Sequence, residues 1–291
     1  MKKMLMGAVA TAALMMTAGV AMAQAPAPST ALTTHEIKPG FYVVEGNGGN
    51  TSVRVGKDGL IVVDTKNPGG HDDLVKSIKA ISPLPVKEVV ITHHHADHAG
   101  GIGEFEKDGA TVTTNVGLKA QLDKGYTAAN NFKPSQPSKT YDKTAEVKVG
   151  GASAKLYHFD PGHTGGDTLV YFPDVKILAG GDEVNAGTPN IDFPFGGSLL
   201  GLQDSLAQAD KLDFDTVVPG HGAVTMTRAE YEAYRKKIDT VIARGRAAIK
   251  AGTPKEGLLA AIKTDDLGWN LATPQWNAPA RLDVLYAELS K

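Results

Sequence analysis

The residues best suited to chemistry form one short run, residues 92–101, with the sequence Thr-His-His-His-Ala-Asp-His-Ala-Gly-Gly. His93 and His95 are two positions apart on a segment that continues a strand-like sequence, so their side chains point to the same side. Asp97 and His98 come where the chain turns and can face a second point nearby. Imidazole nitrogens and carboxylate oxygens suit zinc and, less selectively, iron or manganese. The run therefore predicts a metal site that takes four of its side chains.

Three later motifs carry the same kinds of side chain. His163 lies in Asp-Pro-Gly-His-Thr-Gly-Gly-Asp, Asp182 ends Ala-Gly-Gly-Asp, and His221 lies in Pro-Gly-His-Gly. Each motif follows an apolar segment typical of a strand, so we expect the three side chains at the same edge of the fold as the histidine run. The remaining histidine of that run, His94, alternates away from its neighbours. We therefore expect it to pack or to face solvent, and not to bind metal.

The elements that must position these residues alternate between strands and helices. Two β-branched stretches, 51–55 and 60–63, flank Lys-Asp-Gly and predict a hairpin. The spacing of apolar residues predicts a helix over 72–81, and a strand over 86–91 then runs directly into the histidines. Strands and helices interleave in this way along the rest of the chain, which predicts the α/β class.

The second half begins with a short strand expected over 111–114 and a helix over 116–122. A polar, proline-containing stretch over residues 126–144 follows and predicts a long surface loop. Three strands are expected next, then a Gly/Pro-rich loop over 187–197 and an amphipathic helix over 199–212. Thr-Arg-Ala-Glu at 227–230 is a capping box, and it predicts the start of a long helix that ends near Lys250.

Composition limits the classes of function that the chain can have. Its 291 residues are enough to bury a sizeable core, and the formal net charge is −2 with no dense block of Lys and Arg after the first three residues. Nucleic acid is therefore not expected as a partner, because phosphate binding needs a clustered basic surface. The chain has no cysteine, which excludes thiolate chemistry and leaves His, Asp and Glu as metal ligands.

The N-terminus is expected to be an export signal. Residues 1–23 combine a positive start, an apolar run over 4–20 and the small residues Ala-Met-Ala before a glutamine, which together predict a cleaved signal peptide. The alternative is a transmembrane anchor, because the apolar run approaches the length of a span. Residues 24–31 would be a flexible lead-in and 32–291 the catalytic domain. The mature protein is then expected to be periplasmic or secreted and free of the membrane.

The order and spacing of the motifs carry a family resemblance. His-x-His-x-Asp-His, then Gly-His-Thr, Gly-Asp and Pro-Gly-His-Gly resemble the metallo-β-lactamase-fold superfamily, from about Leu32 to the last helix. The resemblance implies a four-layer αββα sandwich and a hydrolase with two Zn²⁺ ions, with iron or manganese as alternatives in the second site. It is much less specific for substrate, because one fold hosts many activities.

The resemblance also implies a role for each motif residue. One metal would be held by His93, His95 and His163, a second by Asp97, His98 and His221, and Asp182 would bridge the two. Asp64, at the end of the strand over 60–63, matches an acid that hydrogen-bonds behind the ligands, as metal-bound imidazoles require. The two ions would share a hydroxide that attacks a carbonyl, and Asp97 would orient it and pass on its proton.

Departures from the pattern bear on the small-molecule substrate. The best-known β-lactamase branch has Cys in place of Asp182 and, three residues later, a substrate-binding Lys where this chain has Asn185. An Asp bridge resembles glyoxalase II-type thioesterases, lactonases and transfer-RNA nucleases, and the lack of a basic surface run argues against the nuclease. The expected export favours β-lactams as substrates, because β-lactams are met in the periplasm whereas thioester metabolism and transfer-RNA maturation are cytoplasmic. A cyclic amide or ester is therefore predicted, most readily a β-lactam.

Several alternatives remain open at this point. A lactonase of the acyl-homoserine lactone type, or a thioester or carboxylic ester hydrolase, competes with the β-lactamase reading. A periplasmic sulfur or quinoprotein pathway enzyme and a non-catalytic metal-binding module are further alternatives. The predicted pocket lining is Asn185 with Phe193, Phe195 and Ser198 from the loop that follows. The sequence leaves no trace of oligomeric state.

Overall fold

The computed structural model describes residues 31–124 and 135–291, and it contains two β-sheets. Strands β1 to β7 form the first sheet, in that order, and the second sheet has the order β13-β12-β11-β10-β9-β8. The strands are β1 Thr33–Lys38, β2 Phe41–Glu45, β3 Thr51–Val55, β4 Leu60–Val63, β5 Val86–Val90, β6 Thr111–Asn115, β7 Lys139–Tyr141, β8 Thr144–Val149, β9 Ala152–Tyr157, β10 Leu169–Phe172, β11 Ile177–Gly181, β12 Thr216–Pro219 and β13 Met226–Thr227.

Both sheets are mixed. In the first sheet β1 to β4 are antiparallel, and β4, β5, β6 and β7 are parallel to one another. In the second sheet β11 and β12 are parallel and the other neighbours are antiparallel. Parallel neighbours need crossover connections, and these long connections contain the helices that cover the sheets.

The described helices lie between and after these strands. They are α1 His71–Ile81, α2 Ala96–Ala99, α3 Ile102–Lys107, α4 Val116–Asp123, α5 Leu199–Ala209, α6 Arg228–Lys250, α7 Leu258–Ile262, α8 Pro274–Asn277 and α9 Pro279–Leu289. Short 3₁₀ helices cover Phe193–Phe195, Lys255–Gly257 and Asp265–Leu267. No helix in the described ranges is both long enough and apolar enough to span a bilayer.

Strand alternation produces four layers. In β4, Ile61 and Val63 pack against residues of the second sheet, whereas Leu60 and Val62 pack under the helices that cover the first sheet. The two sheets meet face to face, with the rings of Phe41 and Phe172 5.0 Å apart. A third group of buried residues lies between the second sheet and helices α5 to α9. The fold is therefore the predicted αββα sandwich.

Most of the predicted elements are present, one predicted loop is wrong at its end, and some predictions lie outside the described residues. The capping box of α6 forms with both reciprocal bonds, and the helix ends at Lys250 as expected. The loop predicted over 126–144 was wrong at its end, because β7 and the first residue of β8 lie within it. Residues 125–134 of that loop, the predicted signal peptide and the lead-in up to residue 30 lie outside the described residues.

Candidate metal centre

The histidine run lies where the first sheet meets its covering helices. Strand β5 ends at Val90, residues 92–94 form a series of bends, and α2 begins at Ala96. His95 has φ −61° and ψ 144°, and the turn into α2 changes the direction in which the following side chains point. His93 and His95 therefore precede the turn, and Asp97 lies within it.

The second sheet brings its residues to the same edge. His163 lies in the connection between β9 and β10, Asp182 directly follows β11, and His221 comes two residues after β12. The parallel pairing of β11 with β12 sets Gly220 against Asp182, where a Cβ atom would lie 2.0 Å from the carboxylate Oδ1. Only glycine fits at this close approach, which explains the Pro-Gly-His sequence.

The predicted residues meet in two adjacent groups. His93, His95, His163 and Asp182 each place one ligand-type atom within 4.8 Å of the others, and Asp97, His98 and His221 do the same. The Asp182 carboxylate faces both groups: Oδ2 is 3.7 Å from His163 Nε2, and Oδ1 is 3.4 Å from His98 Nε2. This geometry is compatible with the predicted division into two sites that share one carboxylate.

Behind the second group, Asp64 fixes the orientation of His98. Its Oδ2 accepts from His98 Nδ1 at 2.8 Å, and its two oxygens also accept from the Thr92 amide and hydroxyl, each at 2.8 Å. The Thr92 hydroxyl in turn lies 3.1 Å from His93 Nδ1. Asp64 therefore lies where the sequence predicts, and it orients His98 directly and His93 through Thr92.

Two further acceptors orient the first group, and the sequence did not single them out. Asp192 Oδ2 accepts from His95 Nε2 at 2.9 Å, and Asp192 Oδ1 accepts from Arg281 Nη2 at 2.9 Å. The carbonyl of Asn190 accepts from His163 Nδ1 at 2.7 Å. Both residues lie in the loop over 187–197, where the sequence predicts only Phe193 and Phe195 as site residues.

The facing nitrogens of the histidines point to a cation between them. His163 Nε2 and His95 Nδ1 are 3.0 Å apart, yet each ring already donates from its other nitrogen. Two lone pairs then face each other, which is unfavourable without a positive charge between them. His98 Nε2 and His221 Nε2 are also 3.1 Å apart. Buried His93 Nε2 forms no hydrogen bond with any residue in the described ranges. The donor set therefore fits a divalent metal.

The pKa directions in the first group favour ligand-competent forms. Burial, together with the neighbouring imidazoles, lowers the pKa of His93 well below its usual value. Burial also lowers the pKa of His163 to about 4, although Asp182 opposes that change. Both rings are therefore neutral near pH 7, and a neutral imidazole keeps the lone pair that a metal needs.

The second group has a different balance of charge. Burial acts to raise the pKa of Asp97, but the hydrogen bond from His221 and the charge of His98 bring it down to about 2. For His98 the net effect is the opposite of that of burial. Burial acts to lower the pKa of His98, but the charges of Asp64 and Asp182 outweigh burial and hold the pKa well above its usual value. A metal ion bound here would take the place of the proton that these carboxylates hold on the imidazole.

His94 was expected either to pack against other residues or to face solvent, and in the structure it is buried. Its ring lies 4.6 Å from that of Phe195, and burial and His95 lower its pKa to about 3. A ligand-type atom of His94 also lies within 4.8 Å of such atoms of His95 and Asp192. Because Asp192 already accepts from His95 and from Arg281, we assign this trio to ligand orientation.

A cavity of about 360 Å³ opens over the two groups. Its lining includes the predicted pocket residue Asn185, and it consists of His95, Asp97, Asp182, Asn185, Gly187, Thr188, Asn190, His221 and Gly222. From the loop over 187–197, the residues that line this cavity are thus Gly187, Thr188 and Asn190.

The other three predicted pocket residues lie elsewhere. Phe193 is buried in the core against Trp276, with ring centroids 6.4 Å apart. Ser198 caps α5 by accepting from the Gly201 amide at 2.8 Å and contacts Glu288. Phe195 packs on His94, behind the ligands. The prediction that these three residues line the cavity was wrong, because the two phenylalanine rings pack against other side chains and the Ser198 hydroxyl caps a helix.

Known proteins share this sequence pattern and fold. The family model described as metallo-beta-lactamase superfamily matches residues 44–221. The alpha subunit of 2,4-dinitroanisole O-demethylase from Nocardioides sp. (strain JS1661) is 28% identical over 228 residues, which cover 76% of this chain and 66% of that protein. Metallo-beta-lactamase type 2 of Bacillus sp. (strain 170) is 27% identical over 191 residues, 64% of this chain and 71% of that protein.

Solved structures show the same fold at lower identity. A metallo-beta-lactamase from Pontibacter korlensis superposes with a TM-score of 0.64 at 21% identity, covering 72% of this chain and 99% of the other. A stereoselective inverting sec-alkylsulfatase from Pseudomonas sp. gives 0.69 at 16% identity, covering 88% of this chain and 50% of the other. Together with the family match and the His/Asp cluster, these findings show that the chain belongs to the metallo-β-lactamase superfamily, whose members are typically metal-dependent hydrolases.

Proposed function

We propose that the protein is a zinc-dependent hydrolase that opens a cyclic amide or ester, with a β-lactam ring as the first substrate to test. The observation that carries this proposal is the pair of ligand groups sharing Asp182 at the foot of an open cavity. Zn²⁺ bound there would supply Lewis acidity and would lower the pKa of a bound water from ~15.7 to about 7. We propose one ion for each group, with iron or manganese as alternatives in the second.

The chain's own residues would divide the remaining work. Asp97 lines the cavity, its side chain is 31% exposed, and its Oδ2 lies 3.1 Å from His221 Nε2. An ionised carboxylate at this place can accept a proton from the attacking water and return it to the leaving atom. Asp64 and Asp192 hold His98 and His95 in the tautomers that ligation requires.

The second candidate is a lactone, thioester or carboxylic ester. It is favoured by Asp182, which resembles the Asp bridge of that class, and by Asn185 three residues later. The Asn185 amide donates to the Asp182 carbonyl at 3.2 Å and brings no positive charge to the cavity. A β-lactam carboxylate would therefore need its cation from another part of the chain.

A periplasmic or secreted location is part of the proposal. Its support is the sequence of residues 1–23 and the absence of cysteine, which leaves the protein independent of the redox state of its compartment. Cleavage between Ala23 and Gln24, detected by mass spectrometry of the protein recovered from the producing cell, would support it. An uncleaved N-terminus would contradict it.

The function can be tested with a panel of three substrates. Zinc-loaded protein would be assayed against nitrocefin, an N-acyl-homoserine lactone and an acyl thioester, before and after chelation. We expect turnover of at least one of them, lost with chelator and restored with zinc. His95→Ala should abolish it, whereas His35→Ala, a change outside both ligand groups, should not. A hydrolysis rate that is unchanged by the chelator and by His95→Ala would overturn the proposed mechanism.

A further inference from the structure

The connection between β2 and β3 contains a glycine-rich segment, residues 46–50, that lies against the second ligand group. We call this segment the glycine loop. The Gly49 amide donates to the Asp97 carbonyl at 3.2 Å. A Cβ atom on Gly49 would lie 2.1 Å from Cε1 of His98, so the backbone of the loop passes directly beside that ring. Two of the three members of the group are therefore neighbours of the glycine loop.

The glycine loop reaches the third member of the group through Asn50. The side-chain Nδ2 of Asn50 donates to the carbonyls of Pro219 and Ala223, at 2.9 and 2.7 Å. Its backbone amide donates to the Gly220 carbonyl at 2.9 Å. These carbonyls lie on both sides of His221 in the chain. Because the glycine loop belongs to the first sheet and His221 follows a strand of the second, the contacts also join the two sheets at the site.

Lys66 holds the glycine loop from inside the fold. Its side chain is fully buried, and Nζ donates to the Gly49 carbonyl at 2.7 Å and to the Val44 carbonyl at 2.5 Å. The carbonyl of Lys66 accepts from the Gly100 amide at 3.1 Å, at the end of α2, the helix that carries the other two ligands. One residue therefore joins the glycine loop and α2.

Two features of Lys66 are unfavourable in themselves. A buried amine costs free energy unless its N–H groups are hydrogen-bonded. The φ angle of Lys66 is 67°, in the left-handed region that favours glycine. The fold thus keeps a long polar side chain on a backbone conformation that disfavours it. Such strain concentrates at functional sites, where the surrounding structure over-determines it.

We propose that Lys66 is a positioning residue whose amine fixes the glycine loop, so that the second ligand group is assembled before metal binds. Lys66 acts on the ligands through the backbone of the loop. Charged or neutral, the amine has at least two N–H groups for its two carbonyl acceptors. The inference rests on the proposed function only in assigning one metal ion to the second group.

Metal binding at each group alone tests this role. Lys66→Met keeps an unbranched side chain that donates no hydrogen bond, and zinc affinity would be measured by competition with a chromogenic chelator. In a His163→Ala background, which leaves the second group intact, Lys66→Met should weaken zinc binding by about tenfold. In a His221→Ala background, which leaves the first group intact, it should change little. Lys38→Met removes an amine that donates to the Val175 carbonyl at 2.8 Å, and this matched control should change neither affinity.

Chemical modification separates the amine from the volume of the side chain. Because the chain has no cysteine, Lys66→Cys can be alkylated at this position alone in the unfolded protein, which is then refolded. Bromoethylamine gives a side chain of the length of lysine with its amine, and propyl iodide gives nearly the same shape without it. We expect the first reagent, and not the second, to restore zinc affinity at the second group. Equal affinities after the two treatments would overturn the proposal.

Hydrogen exchange on the unmodified protein requires no variant to fold. In the metal-free protein the amides of Gly49 and Asn50 should exchange as slowly as those of β3, because the polypeptide and not the metal holds the glycine loop. Loss of protection at both amides on chelation, with β3 still protected, would contradict assembly before metal binding.

The failure of this proposal can be distinguished from failure of the proposed function. A selective loss at the second group in Lys66→Met, in a protein that hydrolyses nothing in the panel, would retain the positioning role and reject the hydrolase. Equal losses at both groups, or no loss at either, in a protein that hydrolyses a panel substrate would do the reverse.

Discussion

Asp192 offers the sharpest test of how the fold prepares the metal centre. Its side chain is buried between a proposed ligand, His95, and the guanidinium of Arg281, with both contacts at 2.9 Å. In Asp192→Asn the shape is kept, but the amide has only one acceptor oxygen. Either His95 or Arg281 would then face an NH₂ group, and two donors would oppose each other.

The expected loss is in metal affinity. Removal of an acceptor behind a metal-bound histidine typically costs about 10–100-fold in affinity, which corresponds to about 1.4–2.7 kcal/mol at about 1.4 kcal/mol per factor of ten. Asp192→Asn should therefore weaken the group that contains His95 by about this factor and leave the group that contains His98 nearly unchanged. Competition for zinc against a chromogenic chelator would resolve the two affinities.

Two further variants separate orientation from general damage. Asp204→Asn makes the same chemical change at an exposed position of α5 and should leave both affinities as they are. Arg281→Lys should give an intermediate loss, since one ammonium replaces a guanidinium that also donates to the Ile191 carbonyl. If Asp192→Asn binds zinc as tightly as the unmodified protein at both groups, the argument about histidine orientation is refuted.

Three other predictions each concern one residue: a glycine in close contact with His98, a buried lysine and a helix-capping serine. In Gly49→Ala the new Cβ would lie 2.1 Å from His98 Cε1, so zinc titration should show one binding site fewer. Burial lowers the pKa of Lys66 from 10.5 to about 7, so above pH 7 the unfolded chain holds a proton that the folded chain has lost, and stability rises with pH. Urea unfolding should show a gain of up to ~1.4 kcal/mol between about pH 8 and about pH 9, absent in Lys66→Met. Ser198→Ala removes the cap on the Gly201 amide and should cost about 1 kcal/mol in unfolding free energy without changing KM.

The sequence was most informative where local signals and tertiary structure agree. The capping box of α6 satisfies its own helix end, so four residues were enough to place the start of a helix 23 residues long. Strand β5 was predictable from its β-branched residues, of which Val89 and Val90 are buried and Val86 is half-buried. Strand β7 was not, because its three residues carry little hydrophobic pattern and become a strand only by pairing with β6. Tertiary pairing, which a local pattern does not contain, decided that case.

The site was predictable for a similar reason. The motif residues lie in the segments that follow apolar strands, and the ends of strands lie together once the sheets form, so the seven predicted residues meet in the structure. Asp192 and Arg281 carry no such signal: they are 89 positions apart and lie in a loop and in the last helix. Asn190 acts through its backbone carbonyl, which any residue type offers. Only the folded chain identifies these partners.

The two ligand groups draw on both sheets, and this has a consequence for the kinetics of unfolding. His93 to His98 come from the first sheet and His163, Asp182 and His221 from the second, so a bound ion is a cross-link between the halves of a chain that has no disulfide. The ligands come together only after the sheets have docked, so we expect metal binding to follow the folding transition state. Added zinc should therefore slow unfolding and leave the refolding rate nearly unchanged. The supply of metal would then determine the lifetime of the folded state, whereas the rate of folding would depend on the polypeptide alone.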